Sequence, residues 1–136
     1  MLSQQTLVDL REPLSPSWRL LMALNPSGAQ PRTALFGGEG TVTTWSRLPR
    51  GAHPFSAAIW CELTPGGRDG AHRQQRDTEI LLSIEGEGEV LVGGAPHRFT
   101  RGDVVFVPAG EVLEIRNRSQ ADDLVYTIIK AERSHG

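Results

Sequence analysis

Glycine and proline cut this 136-residue chain into apolar runs too short to make ordinary helices. The fifteen glycines and nine prolines are spread along the sequence, not gathered in one linker, and they bound apolar runs at intervals of roughly ten residues. The runs Thr41 to Leu48, Ser56 to Leu63, Glu79 to Ile84, Glu89 to Val92, Val104 to Val107, Leu113 to Asn117 and Leu124 to Lys130 are rich in Val, Ile, Thr or aromatic residues. Such residues suit a pleated, half-buried surface. The pattern predicts an all-β sandwich or barrel. Val92-Gly93-Gly94-Ala95-Pro96 reads as a hairpin connection, and Arg101-Gly102-Asp103 and Pro108-Ala109-Gly110 as tight turns.

The length fits one domain. A net charge of -2 with both signs interspersed supplies no basic face for nucleic acid and no polybasic stretch for a lipid surface, so neither partner is expected. One cysteine, Cys61, allows no internal disulfide and reads as a small buried hydrophobe in a reducing, cytoplasmic setting. The start of the sequence lacks a basic segment followed by an apolar one, and no run is long enough to span a bilayer. A short helix is expected from Ser15-Pro16 to just before Asn25-Pro26, although a strand fits the same residues. Residues 1–50 differ in texture from the rest and are expected to form an N-terminal extension packed on the barrel or on a partner subunit. Residues 51–136 would be the barrel.

Three side chains point to chemistry. On a strand, alternate residues share a face, so His72 and Gln74 turn together into a barrel while Arg73 turns away. Glu79 opens the next strand after a short turn, where an antiparallel neighbour brings its carboxylate toward the same point. One imidazole, one amide oxygen and one carboxylate suit a divalent cation such as Fe, Mn, Ni or Zn, with positions left open for substrate.

The string Gly66-x5-His72-x-Gln74-x4-Glu79-x6-Gly86 resembles the first motif of the cupin superfamily, and Gly102-x5-Pro108-x-Gly110-x2-Leu113-x3-Asn117 resembles the second. The resemblance implies a double-stranded β-helix, the jelly-roll barrel, and a metal held by two histidines, a glutamate and a third histidine. Carried over by position, His72 matches the first ligand and Glu79 the carboxylate. Gln74 and Leu113 stand where the other two histidines would be. Gln74 can still coordinate, whereas Leu113 cannot.

Two uses of these residues follow. A divalent metal on His72, Gln74 and Glu79 would chelate an oxygenated small-molecule substrate and promote isomerisation, cyclisation, elimination or oxygenation. Without metal, His72 and Glu79 form an acid and base pair in a concave pocket, or the barrel binds a small molecule without turning it over. Leu113 and Ile115 are expected to make one pocket wall apolar, Ser83 to share Glu79's side of its strand, and Trp60 to line the pocket mouth or serve as a core anchor. Glu114 and Arg116 would then face outward. His53, His97 and His135 fall in loops or the tail and read as solvated. A homodimer is the expected assembly.

Overall fold

The computed structural model describes residues 28–133, so the helix expected near Ser15 and the tail residue His135 lie outside the described residues. Ten strands follow in order: β1 (Gln30–Thr33), β2 (Thr41–Ser46), β3 (Phe55–Leu63), β4 (Arg68–Arg73), β5 (Asp77–Glu85), β6 (Glu87–Val92), β7 (Ala95–Thr100), β8 (Val104–Val107), β9 (Val112–Asn117) and β10 (Leu124–Glu132). A 3-10 turn, Leu35–Gly37, joins β1 to β2. The strands form a six-stranded sheet in the order β1-β2-β3-β10-β5-β8 and a four-stranded sheet in the order β4-β9-β6-β7. Every neighbouring pair is antiparallel. This is the all-β architecture that the punctuation pattern predicts and the jelly roll that the cupin resemblance implies.

Part of the 1–50 segment lies in the six-stranded sheet, where β2 pairs with β3 and β1 extends that edge. The β6–β7 hairpin closes as expected on Gly93 and Gly94, whose φ values of 58° and 83° are left-handed conformations that glycine adopts without a Cβ clash. β7 carries Pro96 and occupies an outer position in its sheet, where a missing N–H donor is tolerated.

Alternation sorts the side chains. In β8 Val105 and Val107 are buried while Val104 and Phe106 are exposed, so inner and outer faces differ in position more than in polarity. The core lies between the sheets and includes Leu81, Val90, Phe99, Ile115, Leu124 and Tyr126, all fully buried. Each such apolar side chain contributes roughly 1.5 to 3 kcal/mol. Phe99 meets Tyr126 edge to face at 5.9 Å between ring centroids. Asn117, the last residue of the second motif, is buried, and its Nδ2 donates to the carbonyls of Leu63, Thr64 and Asp122 at 3.1, 3.0 and 2.8 Å. It ties the end of β9 to the loop that launches β4.

Candidate functional site

A cavity of about 410 Å³ opens between the inner face of the six-stranded sheet and β4. Its floor is built from cross-strand rows. Thr44, Cys61 and Tyr126 are neighbours across β2, β3 and β10, and Ile59 pairs with Ile128 one row further along. In the last row Lys130 of β10 stands directly opposite Glu79 of β5, with Nζ 3.1 Å from Glu79 Oε1. Leu35 and Phe36, from the 3-10 turn, and Arg32 of β1 complete one side.

β4 supplies the facing wall. His72 Nδ1 donates to the Gly70 carbonyl at 2.8 Å, which leaves the lone pair of Nε2 to accept from the Gln74 amide at 3.0 Å. Phe36 stacks on the imidazole, 3.8 Å between centroids and 16° from parallel. That stack depends on Gly70, because a Cβ there would run into the Phe36 carbonyl oxygen. Gln74 lies one residue past β4 and is pinned through its backbone, its N–H donating to Glu111 O at 2.9 Å and its carbonyl accepting from Gly110 N.

His72, Gln74 and Glu79 therefore line one cavity. The expected wall residues are placed elsewhere. Leu113 is the direct cross-strand partner of His72, yet it is buried in the core with Ile115, and Ser83 is buried opposite Tyr126. Trp60 lies on the other face of β3 from Cys61 and donates from Nε1 to Glu62 at 3.0 Å. None of these four lines the cavity. Glu114 takes the outward face as expected but is buried there, clamped between Arg68 and Arg116 at 3.0 Å each. His53 is exposed and pairs with Glu132, and His97 is exposed.

Asp69, Tyr126 and Lys130 also line the cavity, and the sequence reading missed all three. Burial pushes the Asp69 carboxyl up to about 6; His72 pulls it down and Glu79 pushes it further up. Burial also raises the Cys61 thiol and the Tyr126 hydroxyl, with Asp69 adding to both shifts. The Tyr126 hydroxyl lies against the Cys61 thiol, whereas Asp69 Oδ1 and Glu79 Oε2 are buried without a hydrogen-bond partner. Buried polar atoms left in that state are expensive, so they mark where a ligand or water is wanted.

A jelly roll with histidine and carboxylate inside one end defines a class, and the family comparison agrees with it. The model for the cupin domain matches residues 59–130, more than half of the chain, and the chain belongs to the cupin family. An oxalate-binding protein of Thermotoga maritima is 31% identical over 88 residues, which cover 63% of this chain and 73% of that protein. Among solved structures, a predicted oxalate decarboxylase from Thermotoga maritima superposes with a TM-score of 0.72 at 25% identity, over 77% of this chain and 92% of that one. KdgF from a Halomonas species gives 0.60 at 17% identity, over 81% and 93%. The last similarity bears on the fold alone.

Cupins commonly hold a divalent metal, and the donors present here do not fit one. Among the described residues no cluster of three or more His, Cys, Asp or Glu side chains is arranged to hold a metal ion. The Gln74 amide turns its N–H, not its oxygen, toward His72 Nε2 and so offers a donor where a ligand atom would be wanted. One oxygen of Glu79 already faces an ammonium, and Leu113 offers no donor opposite His72.

Proposed function

We propose that the barrel is a metal-independent site for an oxygenated, partly apolar small molecule, and that it moves protons on that molecule in an isomerisation or elimination. The observation that carries this reading is the Glu79–Lys130 pair inside a cavity that also holds His72 and Asp69. A lysine ammonium supplies the positive charge that metal-binding cupins obtain from the ion. Glu79 Oε2 has no partner and can accept a proton or hydrogen bond from the ligand. His72 Nε2 is the second acceptor once the Gln74 amide turns aside. Asp69, protonated below about pH 6, is the donor that returns a proton. Proton transfer by groups positioned in this way typically gives 10²- to 10⁴-fold acceleration.

The name of the Thermotoga oxalate-binding protein supports an acidic ligand, and it also favours a second reading in which the ligand is bound without being changed. Both keep the cavity as the site. A cytoplasmic setting and pairing into a homodimer belong to the same proposal; a native mass of one chain at low concentration would count against the pairing.

The deciding experiment incubates chelator-treated protein with a panel of hydroxy and oxo acids in deuterium oxide. Product formation or deuterium uptake is followed by mass spectrometry. Turnover that survives metal removal and disappears in His72→Ala is the expected result. Turnover that appears only after Fe, Mn, Ni or Zn is added would overturn metal independence, and stable binding with no exchange would select the second reading.

A further inference from the structure

The chain has a single lysine, Lys130, and it stands in the cavity with 31% of its side-chain surface exposed. All thirteen other basic residues, the fourteen Lys and Arg less this one, are arginines. An ammonium has three N–H donors, and the ion pair with Glu79 uses one direction of approach. The cavity lining includes Arg32, Arg73 and Lys130 against two carboxylates, Asp69 and Glu79, so it carries a surplus of positive charge when all are ionised; contrary to the alternation expected along the strand, Arg73 is among the lining residues, with its guanidinium bonded to the Gly110 carbonyl. The surplus favours an anionic ligand. Beside the ammonium, Glu79 Oε2 and Asp69 Oδ1 are buried acceptors with no donor. Leu35, Phe36, Ile59 and Ile128 supply apolar surface to the same space.

We infer that Lys130 binds an anionic oxygen of the substrate and that the substrate is a small hydroxy acid with an apolar substituent. The carboxylate is held by the ammonium. The hydroxyl donates to Glu79 Oε2 or Asp69 Oδ1 and removes the cost of an orphaned acceptor. The substituent lies along Phe36 and the aliphatic wall. A neutral analogue loses the charge-assisted bond, and an analogue without the hydroxyl leaves the acceptor unsatisfied. This inference rests on the cavity being the small-molecule site.

The single lysine makes the test clean. Uniformly nitrogen-15-labelled protein has one lysine side-chain ammonium resonance, and backbone amides of Tyr126 and Ile128 report cavity binding independently. Mandelate, phenylacetate and mandelamide serve as probes: an aromatic hydroxy acid, its deoxy analogue and its uncharged amide. Mandelate is expected to shift the Lys130 signal and to bind at least tenfold more tightly than either analogue. Lys130→Arg should retain that preference. Lys130→Met paired with Glu79→Gln, which leaves no buried charge stranded, should keep the fold and lose the preference for mandelate over mandelamide.

Amide shifts at Tyr126 and Ile128 with a static lysine signal would overturn the inference and leave the cavity as the binding site. Equal affinity for the three probes would overturn it as well. No amide shift with any probe would count against both the inference and the cavity reading.

Discussion

Asp69 and His72 line the same cavity although they stand three positions apart, because β4 breaks its register with β9 between them. On a regular strand an odd separation sends side chains to opposite faces. A bulge restores the common face by inserting a residue into one strand of the pair. The consequence is a buried carboxyl near the imidazole, and it is measurable. With the Asp69 carboxyl raised from 3.8 to about 6, the folded state holds a proton that the unfolded chain has already released. Folding stability therefore falls as pH rises from about 4 to about 6, and the penalty persists above that window. Relative to Asp69→Asn, the wild type should lose on the order of 2 to 3 kcal/mol between pH 4 and pH 7. Urea melts of both proteins at the two pH values check this, and parallel pH profiles would refute it.

Asp103 acts in the opposite direction and in a different window. It accepts from Arg98 Nε and Nη2 at 3.0 Å each and from Thr100 N at 2.9 Å, and these bonds, led by the one from Arg98, lower its carboxyl to about 2. Its stabilising effect is complete above pH 4 and disappears as pH falls toward 2. Solvent reaches this pair, so Asp103→Asn should cost only about 1 kcal/mol at pH 7. The difference between the two proteins should vanish near pH 2 in thermal melts.

Asn117 gives a larger effect at a position that looks like a glycosylation sequon in the sequence. Its amide nitrogen serves three carbonyls, and its oxygen accepts from Ser119 N at 2.9 Å. Asn117→Asp presents an acceptor to three acceptors in a buried site. A loss of about 3 kcal/mol follows from the unsatisfied carbonyls and the buried charge. Chemical denaturation should show it, and a change below about 1 kcal/mol would mean the loop is held by other contacts.

How much of the site was legible follows from the physics of strands. Alternation along a strand assigns a face and groups His72 with Gln74, and both line the cavity although Gln74 lies one residue past β4. It says nothing of depth along the barrel, which is why Ser83, Leu113 and Ile115 sit in the core and not on the cavity wall. Asp69 was hidden because its odd spacing from His72 reads as the opposite face, and nothing in Arg68-Asp69-Gly70-Ala71-His72 announces a bulge. Lys130 was invisible for another reason: it meets Glu79 only through the β10–β5 register, fifty-one positions along the chain. Phe36 reaches His72 from a segment that the proline-rich texture of residues 1–50 marks as an extension. The fold was easier, since glycine and β-branched residues act locally; of the strands absent from the predicted runs, β1 and β7 each contain a proline that argues against a strand, and β4 contains Gly70 and no β-branched residue.

The features that oppose a metal are separable residue by residue. Leu113 faces His72 across β4 and β9, and Gln74 bonds to His72 Nε2, so Gln74→His together with Leu113→His would install the two imidazoles that the cupin motifs lead one to expect. Lys130 would still oppose a divalent ion through like charge beside Glu79. The triple variant with Lys130→Met removes that repulsion and frees Glu79. Without metal it should be less stable than wild type by a few kcal/mol, since a polar ring enters a core site and Glu79 loses its counterion. Added Ni or Zn should then raise stability by about 2.7 kcal/mol at a hundredfold excess over Kd, whereas wild type should gain nothing. The double variant that retains Lys130 should bind more weakly than the triple. Calorimetric titration of the three proteins with each metal separates these outcomes, and equal affinity with and without Lys130 would show that its charge does not keep metal out.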